Sequence, residues 1–272
     1  MPKFSKVFFI AVLAAVIIAP GQGLAWRRPY HLTARTALLW DPANNHRYFD
    51  LGADREVYPA STTKVLTILL ALEHLSLDQY VTVPEIATRM PETKLGLRAG
   101  ESYRVRDLIY GMLLMSANDA AVTLAQAVAG SQEKFVDMMN AKARELGALH
   151  SHFANPDGLP SRGPQYTTAA DMSLIFTQAL KNDFFRQAIT HKYMVISSRA
   201  GRRFFLRSFN KTLFFRWRWH VFGKTGYTRE ARFCFVGYIP RGRDTLVIAV
   251  YGCRHRWTDM KYIIEHYGHI LL

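Results

Sequence analysis

The chain has 272 residues and carries 35 Lys and Arg against 21 Asp and Glu, which gives a formal net charge of +14 at pH 7. This length supports one large domain or two small ones with a substantial buried core. The sequence contains no internal repeat or low-complexity linker, which excludes a repeat architecture. Its positive charge predicts acidic partners.

The N-terminus has the pattern of a secretory signal peptide. Lys3 and Lys6 precede an apolar run from Val7 to Ala19, and a small-residue site follows. The run is shorter than the roughly 20 residues of a membrane-spanning helix. We therefore predict a signal peptide over 1–25 and a single domain over 26–272, with a retained anchor as the alternative. Export to the periplasm or cell envelope argues against nucleic acid and favours a membrane surface or an anionic wall polymer as partner.

The first part of the predicted domain changes from strands to helices. Two strand-like runs, 36–40 and 47–51, flank a segment rich in turn-forming residues and predict a hairpin. After Pro59, apolar residues at helical spacing predict a buried helix with Ser61 in its first turn, where free backbone amides lie nearby. Further helical patterns cover 105–115, 117–128, 132–146 and 169–180.

The last third of the chain is rich in strand patterns. Strands are predicted over 193–197, 221–227, 231–239 and 245–251, and a final helix over 259–269. Strands at both chain ends around a helical middle predict an α/β (α+β) fold, in which one antiparallel sheet built from both ends is flanked by helices and carries a helical lobe.

The two cysteines flank the last predicted hairpin. A tight turn at 240–243 would pair Cys234 with a residue near Ile248 or Ala249, out of register with Cys253. Because a disulfide needs Cα atoms within about 7 Å, we expect two buried thiols. A β-bulge that restores the pairing is the alternative.

Three short motifs occur in order: Ser61-Thr-Thr-Lys64, Ser116-Ala-Asn118 and Lys224-Thr225-Gly226. Either of the first two arises by chance roughly once in a chain of this size, whereas Lys-Thr-Gly is expected in fewer than about one chain in ten. Their order and their predicted settings at a helix start, a helix–helix turn and a strand make the combination specific.

The motifs contain the groups that nucleophilic catalysis requires. Residues three apart on a helix share a face, so Lys64 can take the proton of Ser61 if its amine is neutral. Burial beside a second cation, Lys224, is expected to lower the pKa of Lys64. Ser116 would bridge the two lysines as a proton relay, and this chemistry needs no metal or cofactor.

Substrate contacts are predicted along the strand over 221–227, which contains Lys224-Thr225-Gly226. The amides of Ser61 and Tyr227 would form an oxyanion hole. Gly226 permits a peptide to approach the strand edge, where main-chain hydrogen bonds would hold it antiparallel. Lys224 and Thr225 would then meet its terminal carboxylate, and Asn118 would contact a substrate amide.

The stretches 58–64, 115–121, 155–159 and 223–228 resemble the low-molecular-mass penicillin-binding proteins, serine-type D-alanyl-D-alanine carboxypeptidases of the transpeptidase/β-lactamase superfamily. The resemblance implies a transpeptidase-like catalytic domain, an acyl-enzyme on Ser61 and release of terminal D-alanine from peptidoglycan stem peptides. It also implies covalent inhibition by β-lactams and a position for Arg256 near the substrate carboxylate. Many members continue into a C-terminal domain and an anchor helix, and we expect neither here.

Three other functions remain open at this stage. A D,D-endopeptidase would cut cross-links with the same chemistry. A class A β-lactamase would need a Glu-x-x-x-Asn pattern between Asn118 and Lys224, and none is present. A non-catalytic cell-wall binder would keep the pocket without turnover, and Ser61 and Lys64 would then be a helix cap and a solvated lysine.

Other features have simpler interpretations. The basic aromatic stretch 202–219 fits contact with a membrane or wall polymer as well as an amphipathic strand pair. The histidine pairs 150/152 and 266/269 are taken as surface or packing residues, since no cysteine or acid completes a metal site. Asn155-Pro-Asp-Gly is taken as a tight turn, in which Asp157 need not be catalytic.

Overall fold

The computed structural model describes residues 30–91, 93–242 and 244–272. Its strands are β1 (Thr36–Asp41), β2 (His46–Leu51), β3 (Tyr80–Thr82), β4 (Ser102–Arg104), β5 (Tyr193–Ser197), β6 (Arg203–Arg207), β7 (Phe222–Thr228), β8 (Arg232–Arg241) and β9 (Asp244–Cys253). Its helices are α1 (Lys64–His74), α2 (Glu85–Thr88), α3 (Val105–Met115), α4 (Asn118–Ala129), α5 (Gln132–Glu145), α6 (Ala169–Leu180), α7 (Asp183–Ala188) and α8 (Arg256–His266), with 3-10 turns at Ala60–Thr63 and Lys211–Leu213.

Both chain ends contribute to one five-stranded antiparallel sheet, in the order β2-β1-β9-β8-β7. Alternate residues of β1 and β9 face opposite sides, as a pleated strand requires. Leu38 and Ala249 pack with the large helical lobe, whereas Leu39 and Ile248 pack with α8. The sheet is therefore buried on both faces, which confirms the fold predicted from the sequence, and β7 lies at its edge.

The predicted helices over 105–115 and 169–180 match α3 and α6, whereas the final helix, predicted over 259–269, lies three residues earlier in the chain. α8 begins at Arg256 and ends at His266. The Thr33 hydroxyl accepts hydrogen bonds from the amides of Arg254 and His255 and donates one to Asp259 at 2.6 Å. The side chain that holds the residues just before this helix lies far away in sequence, so no local signal marks it.

Two small sheets were not predicted in full. β3 pairs with β4. β5 pairs with β6, and β6 lies inside the basic aromatic stretch 202–219. In the β5–β6 hairpin, Ile196 and Leu206 are buried, whereas Tyr193, Val195 and Phe205 are exposed. The predicted amphipathic strand pair is therefore formed by Arg203–Arg207 and β5. The residues from Ser208 to His220 do not form a strand.

The register predicted for the cysteine hairpin was wrong, although both thiols are free and buried as expected. Arg241 pairs with Asp244, so the strand pairing includes a residue of the predicted turn at 240–243. A bulge between Phe233 and Phe235 then shifts the pairing and sets Phe233 opposite Cys253.

The described helices include none long and apolar enough to cross a membrane. The predicted signal peptide, residues 1–25, lies outside the described residues. Residues Leu32–Leu272 form one compact unit.

Candidate active site

The nucleophile candidate lies where a 3-10 turn meets a buried helix. Ser61 belongs to the turn Ala60–Thr63, and Lys64 is the first residue of α1. Ala60 adopts a positive φ of 45°, uncommon for a residue with a side chain. The Lys64 side chain is fully buried, and its Nζ lies 3.0 Å from Ser61 Oγ. The sequence-predicted pair is therefore in direct contact.

The three oxygens around Nζ of Lys64 can be bonded by a neutral amine as well as by an ammonium group. Its Nζ lies 2.7 Å from Asn118 Oδ1 and 2.6 Å from the carbonyl oxygen of Asp157, and both oxygens can only accept. A neutral amine has two N–H groups and one lone pair. If the N–H groups are donated to these two oxygens, the lone pair is left for the hydroxyl of Ser61.

Burial lowers the pKa of Lys64 to about 8, against an opposing pull from Asp157 and Asp119. The direction agrees with the sequence-based expectation. The effect of the like charge falls on the other lysine: the pKa of Lys224 is lowered well below its usual range, first by burial and then by Lys64 and Arg256. Both amines thus have a strongly reduced tendency to carry a proton.

Ser116 connects the second lysine to the cleft. It ends α3 in a left-handed conformation with φ 61°, and its Oγ lies 2.9 Å from Nζ of Lys224. Lys224 also donates to the carbonyl oxygen of Thr225 at 2.7 Å. The left-handed residue turns the chain sharply between α3 and α4, which brings Ser116 beside β7.

Asn118 contacts Lys64. It is buried at the start of α4, and its Oδ1 accepts from Lys64. Its backbone amide donates to the carbonyl of Thr93 at 2.9 Å. In this structure Asn118 positions the lysine, and contact with a substrate amide stays a prediction.

A carbonyl group and a glycine near Ser61 were not predicted as parts of the site. Gly158 has φ +81°, and a Cβ added there would lie 1.9 Å from the carbonyl oxygen of Ala60. The preceding carbonyl, of Asp157, accepts from Lys64. The Asn-Pro-Asp-Gly segment is a turn, as predicted, but it also packs against the backbone that carries Ser61. A Gly-containing turn gives no sequence signal for this contact.

β7 passes directly beside the amide of Ser61. A Cβ added to Gly226 would lie 3.2 Å from both Ser61 N and the Cβ of Ala60, so a side chain here would crowd the turn that carries Ser61. Tyr227 is exposed, and its ring packs against Phe233 with centroids 4.8 Å apart. The assignment of the Tyr227 amide to the oxyanion hole stays a prediction. The position of β7 beside the Ser61 amide is compatible with it.

Arg256 lies at the start of α8, on the wall of the same cleft. Its guanidinium lies over the ring of Trp257 at 4.4 Å, and Nη1 donates to the carbonyl oxygens of Gly226 and Cys234. Burial lowers its pKa to about 10. Nε is buried and has no hydrogen-bond partner among the described residues.

These groups open into a cleft of about 660 Å³. One wall is formed by β7, and the other includes Arg207, Lys211, Phe214 and Phe215 of the basic aromatic stretch. The residues that line it include three cations and no Asp or Glu: Arg207, Lys211 and Arg256. The position of the basic stretch at the cleft was not predicted from the sequence, because the contact depends on tertiary packing such as that of Phe215 against Trp257.

A serine bonded to a buried lysine, beside a sheet edge and a cationic cleft, is the arrangement expected of a serine-type peptidase site. The family model of peptidase S11, described as D-alanyl-D-alanine carboxypeptidase, matches residues 24–254. The chain therefore belongs to the D-alanyl-D-alanine carboxypeptidase family and is a serine-type peptidase.

Similar proteins support this assignment. The D-alanyl-D-alanine carboxypeptidase DacB2 of Mycobacterium tuberculosis is 40% identical over 202 residues, which cover 73% of this chain and 68% of the relative. DacF of Bacillus subtilis is 31% identical over 225 residues, 80% of this chain and 57% of the relative. The chain thus spans little more than half the length of the Bacillus protein.

Solved structures share the fold. A D-alanyl-D-alanine carboxypeptidase of Mycobacterium tuberculosis superposes with a TM-score of 0.81 at 34% identity, covering 89% of this chain and 93% of that one. A DD-transpeptidase from a Streptomyces strain gives 0.80 at 25% identity, covering 89% and 99%. The architecture is therefore that of the DD-peptidases and transpeptidases.

Proposed function

We propose that this protein removes the terminal D-alanine of peptidoglycan stem peptides through an acyl-enzyme on Ser61. The observation that carries the proposal is the bonding of Lys64. Two acceptor-only oxygens occupy its N–H groups, and its Nζ lies 3.0 Å from the hydroxyl that has to lose a proton. A serine hydroxyl becomes a competent nucleophile when such a neighbour takes its proton.

The acylation step follows from this arrangement. A peptide on the free edge of β7 would run antiparallel to it, with its scissile carbonyl at the amide of Ser61. Lys64 takes the hydroxyl proton as Ser61 Oγ bonds to the carbonyl carbon, and the oxyanion is stabilised by the Ser61 and Tyr227 amides. Thr225, Lys224 and Arg256 would hold the terminal carboxylate.

Departure of D-alanine requires a proton on its nitrogen. The proton that Lys64 took from Ser61 is the one available, and Ser116, bonded to Nζ of Lys224, is suited to relay it to the leaving amine as the C–N bond breaks. Lys64, neutral again, takes a proton from the water that attacks the acyl-enzyme and gives it to Ser61 Oγ as the ester bond breaks. These steps use only groups that this chain supplies.

The same site is expected to bind penicillin and to release it slowly. The residues that line the cleft include no Asp or Glu that could activate water against a bulky acyl group. The side chain of Asp157 is buried, and its Oδ1 accepts from the amide of Leu159 at 2.8 Å. We therefore propose a penicillin-binding enzyme in preference to a β-lactamase.

The pH dependence of acylation tests the role of Lys64. A lowered pKa of about 8 means that the neutral, active amine accumulates as pH rises through that value. The second-order rate constant for acylation by a penicillin should rise about tenfold per pH unit below this value and level off above it. A profile that is flat or falls with increasing pH over this interval would contradict the assignment of Lys64 as the base.

Release of D-alanine is the direct test of the proposed reaction. Purified protein incubated with a stem pentapeptide should liberate free D-alanine, and the Ser61→Ala variant should liberate none above background. The control peptide ends in L-alanine and should not be cut. Failure of the folded wild-type protein to release D-alanine, together with failure to bind penicillin, would leave the non-catalytic binder as the better account.

A second candidate is D,D-endopeptidase activity on peptide cross-links. A D-alanyl-D-alanine endopeptidase of Pseudomonas aeruginosa is 28% identical over 260 residues, 92% of this chain and 81% of that protein. Arg207 and Lys211 line the cleft together with Arg256, which offers cations to a leaving peptide larger than D-alanine. Cleavage of cross-linked dimers at a rate equal to pentapeptide trimming would favour this activity.

We further propose that the enzyme acts outside the cytoplasm, in the periplasm or cell envelope. Its proposed substrate is a wall polymer, and the first 25 residues have the pattern of an export signal. The net charge of +14 also favours contact with an anionic wall polymer. Recovery of the protein in the cytoplasmic fraction of cells, with residues 1–25 retained, would contradict this localisation.

A further inference from the structure

A second cavity of about 790 Å³ lies beside the nucleophile. Ser61 and Thr225–Tyr227 line the catalytic cleft, whereas the neighbouring Ala60 and Thr228 line this second cavity. Its other walls come from 55–58, the 158–166 loop and the turn between β7 and β8. The cavity is therefore next to the catalytic cleft along the same strand edge.

Four charged side chains line this cavity: Arg35, Arg55, Glu56 and Glu230. None of them forms an ion pair or a side-chain hydrogen bond with any residue that the structure describes. Exposed arginines elsewhere do pair, as Arg47 does with Asp50 and Asp54. Unpaired charges of both signs around one cavity are free to bind a ligand that itself carries both signs.

The strand direction shows which part of a substrate would reach the cavity. A peptide antiparallel to β7, with its carboxylate at Thr225, runs towards Thr228 on its N-terminal side. Each residue of an extended chain advances about 3.3 Å. The residue before the two terminal D-alanines thus lies near Thr228, within side-chain reach of the cavity.

We propose that this cavity is a subsite for a side chain that ends in an ammonium group and a carboxylate on one carbon, the chemistry of a diaminopimelate residue. Glu56 and Glu230 receive the ammonium group, and Arg35 and Arg55 receive the carboxylate. The proposal rests on the proposed function, because it assigns the residue that precedes D-alanyl-D-alanine in the substrate.

Three pentapeptides that differ only in the third residue test the subsite. Diaminopimelate carries both charges, lysine lacks the carboxylate, and Nε-acetyllysine lacks both. Exposed ion pairs contribute up to about 1 kcal/mol, or about fivefold in affinity. We expect kcat/KM to fall about fivefold from diaminopimelate to lysine, and about fivefold again to acetyllysine.

Two variants assign the charges separately. Arg55→Gln should lower kcat/KM about threefold for the diaminopimelate peptide and leave the lysine peptide unchanged. Glu230→Gln should lower it by a similar factor for both of these peptides and leave the acetyllysine peptide unchanged. The control is Arg144→Gln, which removes one exposed charge from α5, away from both cavities. It should alter none of the three values.

Equal kcat/KM for the three peptides would overturn the proposal while leaving the carboxypeptidase function intact. If no peptide is cut, the proposed function fails instead, and binding still tests the subsite. Calorimetric titration of the Ser61→Ala protein with the same peptides should give the same order of Kd values. Identical Kd values would reject the subsite independently of turnover.

Discussion

Replacement of Lys64 by methionine is expected to lower kcat/KM for D-alanine release by about 10⁴-fold. Methionine occupies a similar volume and needs no charge or hydrogen bond in the buried site, so the packing around α1 should persist. The hydroxyl of Ser61 would lose the only group bonded to its Oγ among the described residues. Steady-state kinetics with a pentapeptide, read beside thermal unfolding of the same samples, measures the effect.

The thermal comparison is the control for this variant. Removal of a buried amine should leave Tm unchanged or raised, because the desolvation cost of that amine disappears. Asn118 Oδ1 and the carbonyl of Asp157 lose a donor, which offsets part of the gain. A folded Lys64→Met protein that keeps activity within tenfold of wild type would show that another group acts as the base.

Substitution of alanine for Gly158 is expected to destabilise the protein by about 4 kcal/mol and to slow acylation about a hundredfold. The added Cβ would lie 1.9 Å from the carbonyl oxygen of Ala60, so one of the two backbone segments has to move. Either movement displaces Ser61 or the carbonyl that accepts from Lys64. Urea denaturation gives the stability change, and penicillin acylation kinetics give the rate.

Gly147 offers a matched control for that substitution. It has φ +80°, almost the same as Gly158, but nothing lies within 4 Å of an added Cβ. Gly147→Ala should therefore show only the cost of the left-handed conformation, about 1 kcal/mol, with normal acylation. Equal effects of the two substitutions would mean that contact with Ala60 has no part in positioning the nucleophile.

The sequence predicted those parts of the site that depend on local spacing. Ser61 and Lys64 are three residues apart at a helix start, and the helix geometry itself brings them together. The antiparallel sheet followed from strand patterns at both chain ends around a helical middle. The burial that lowers the pKa of Lys64 was predictable because apolar residues surround its position in α1.

Long-range contacts explain what the sequence did not reveal. The carbonyl of Asp157 is a backbone group, and no side chain marks its approach to Lys64. The residues just before α8 are held by hydrogen bonds to the hydroxyl of Thr33, which is distant in sequence. The cysteine register depended on the length of one turn and on a bulge, since a shift of one residue changes every pair along the strands.

Intact mass spectrometry of the purified protein with benzylpenicillin, beside its Ser61→Ala variant, tests the central claim most directly. One stable adduct, equal in mass to the penicillin, is expected on the wild type alone. The reason is that Ser61 attacks the β-lactam carbonyl and the acyl group is released slowly from the cleft. No adduct on folded wild type, or an equal adduct on Ser61→Ala, would contradict the assignment of Ser61 as the nucleophile.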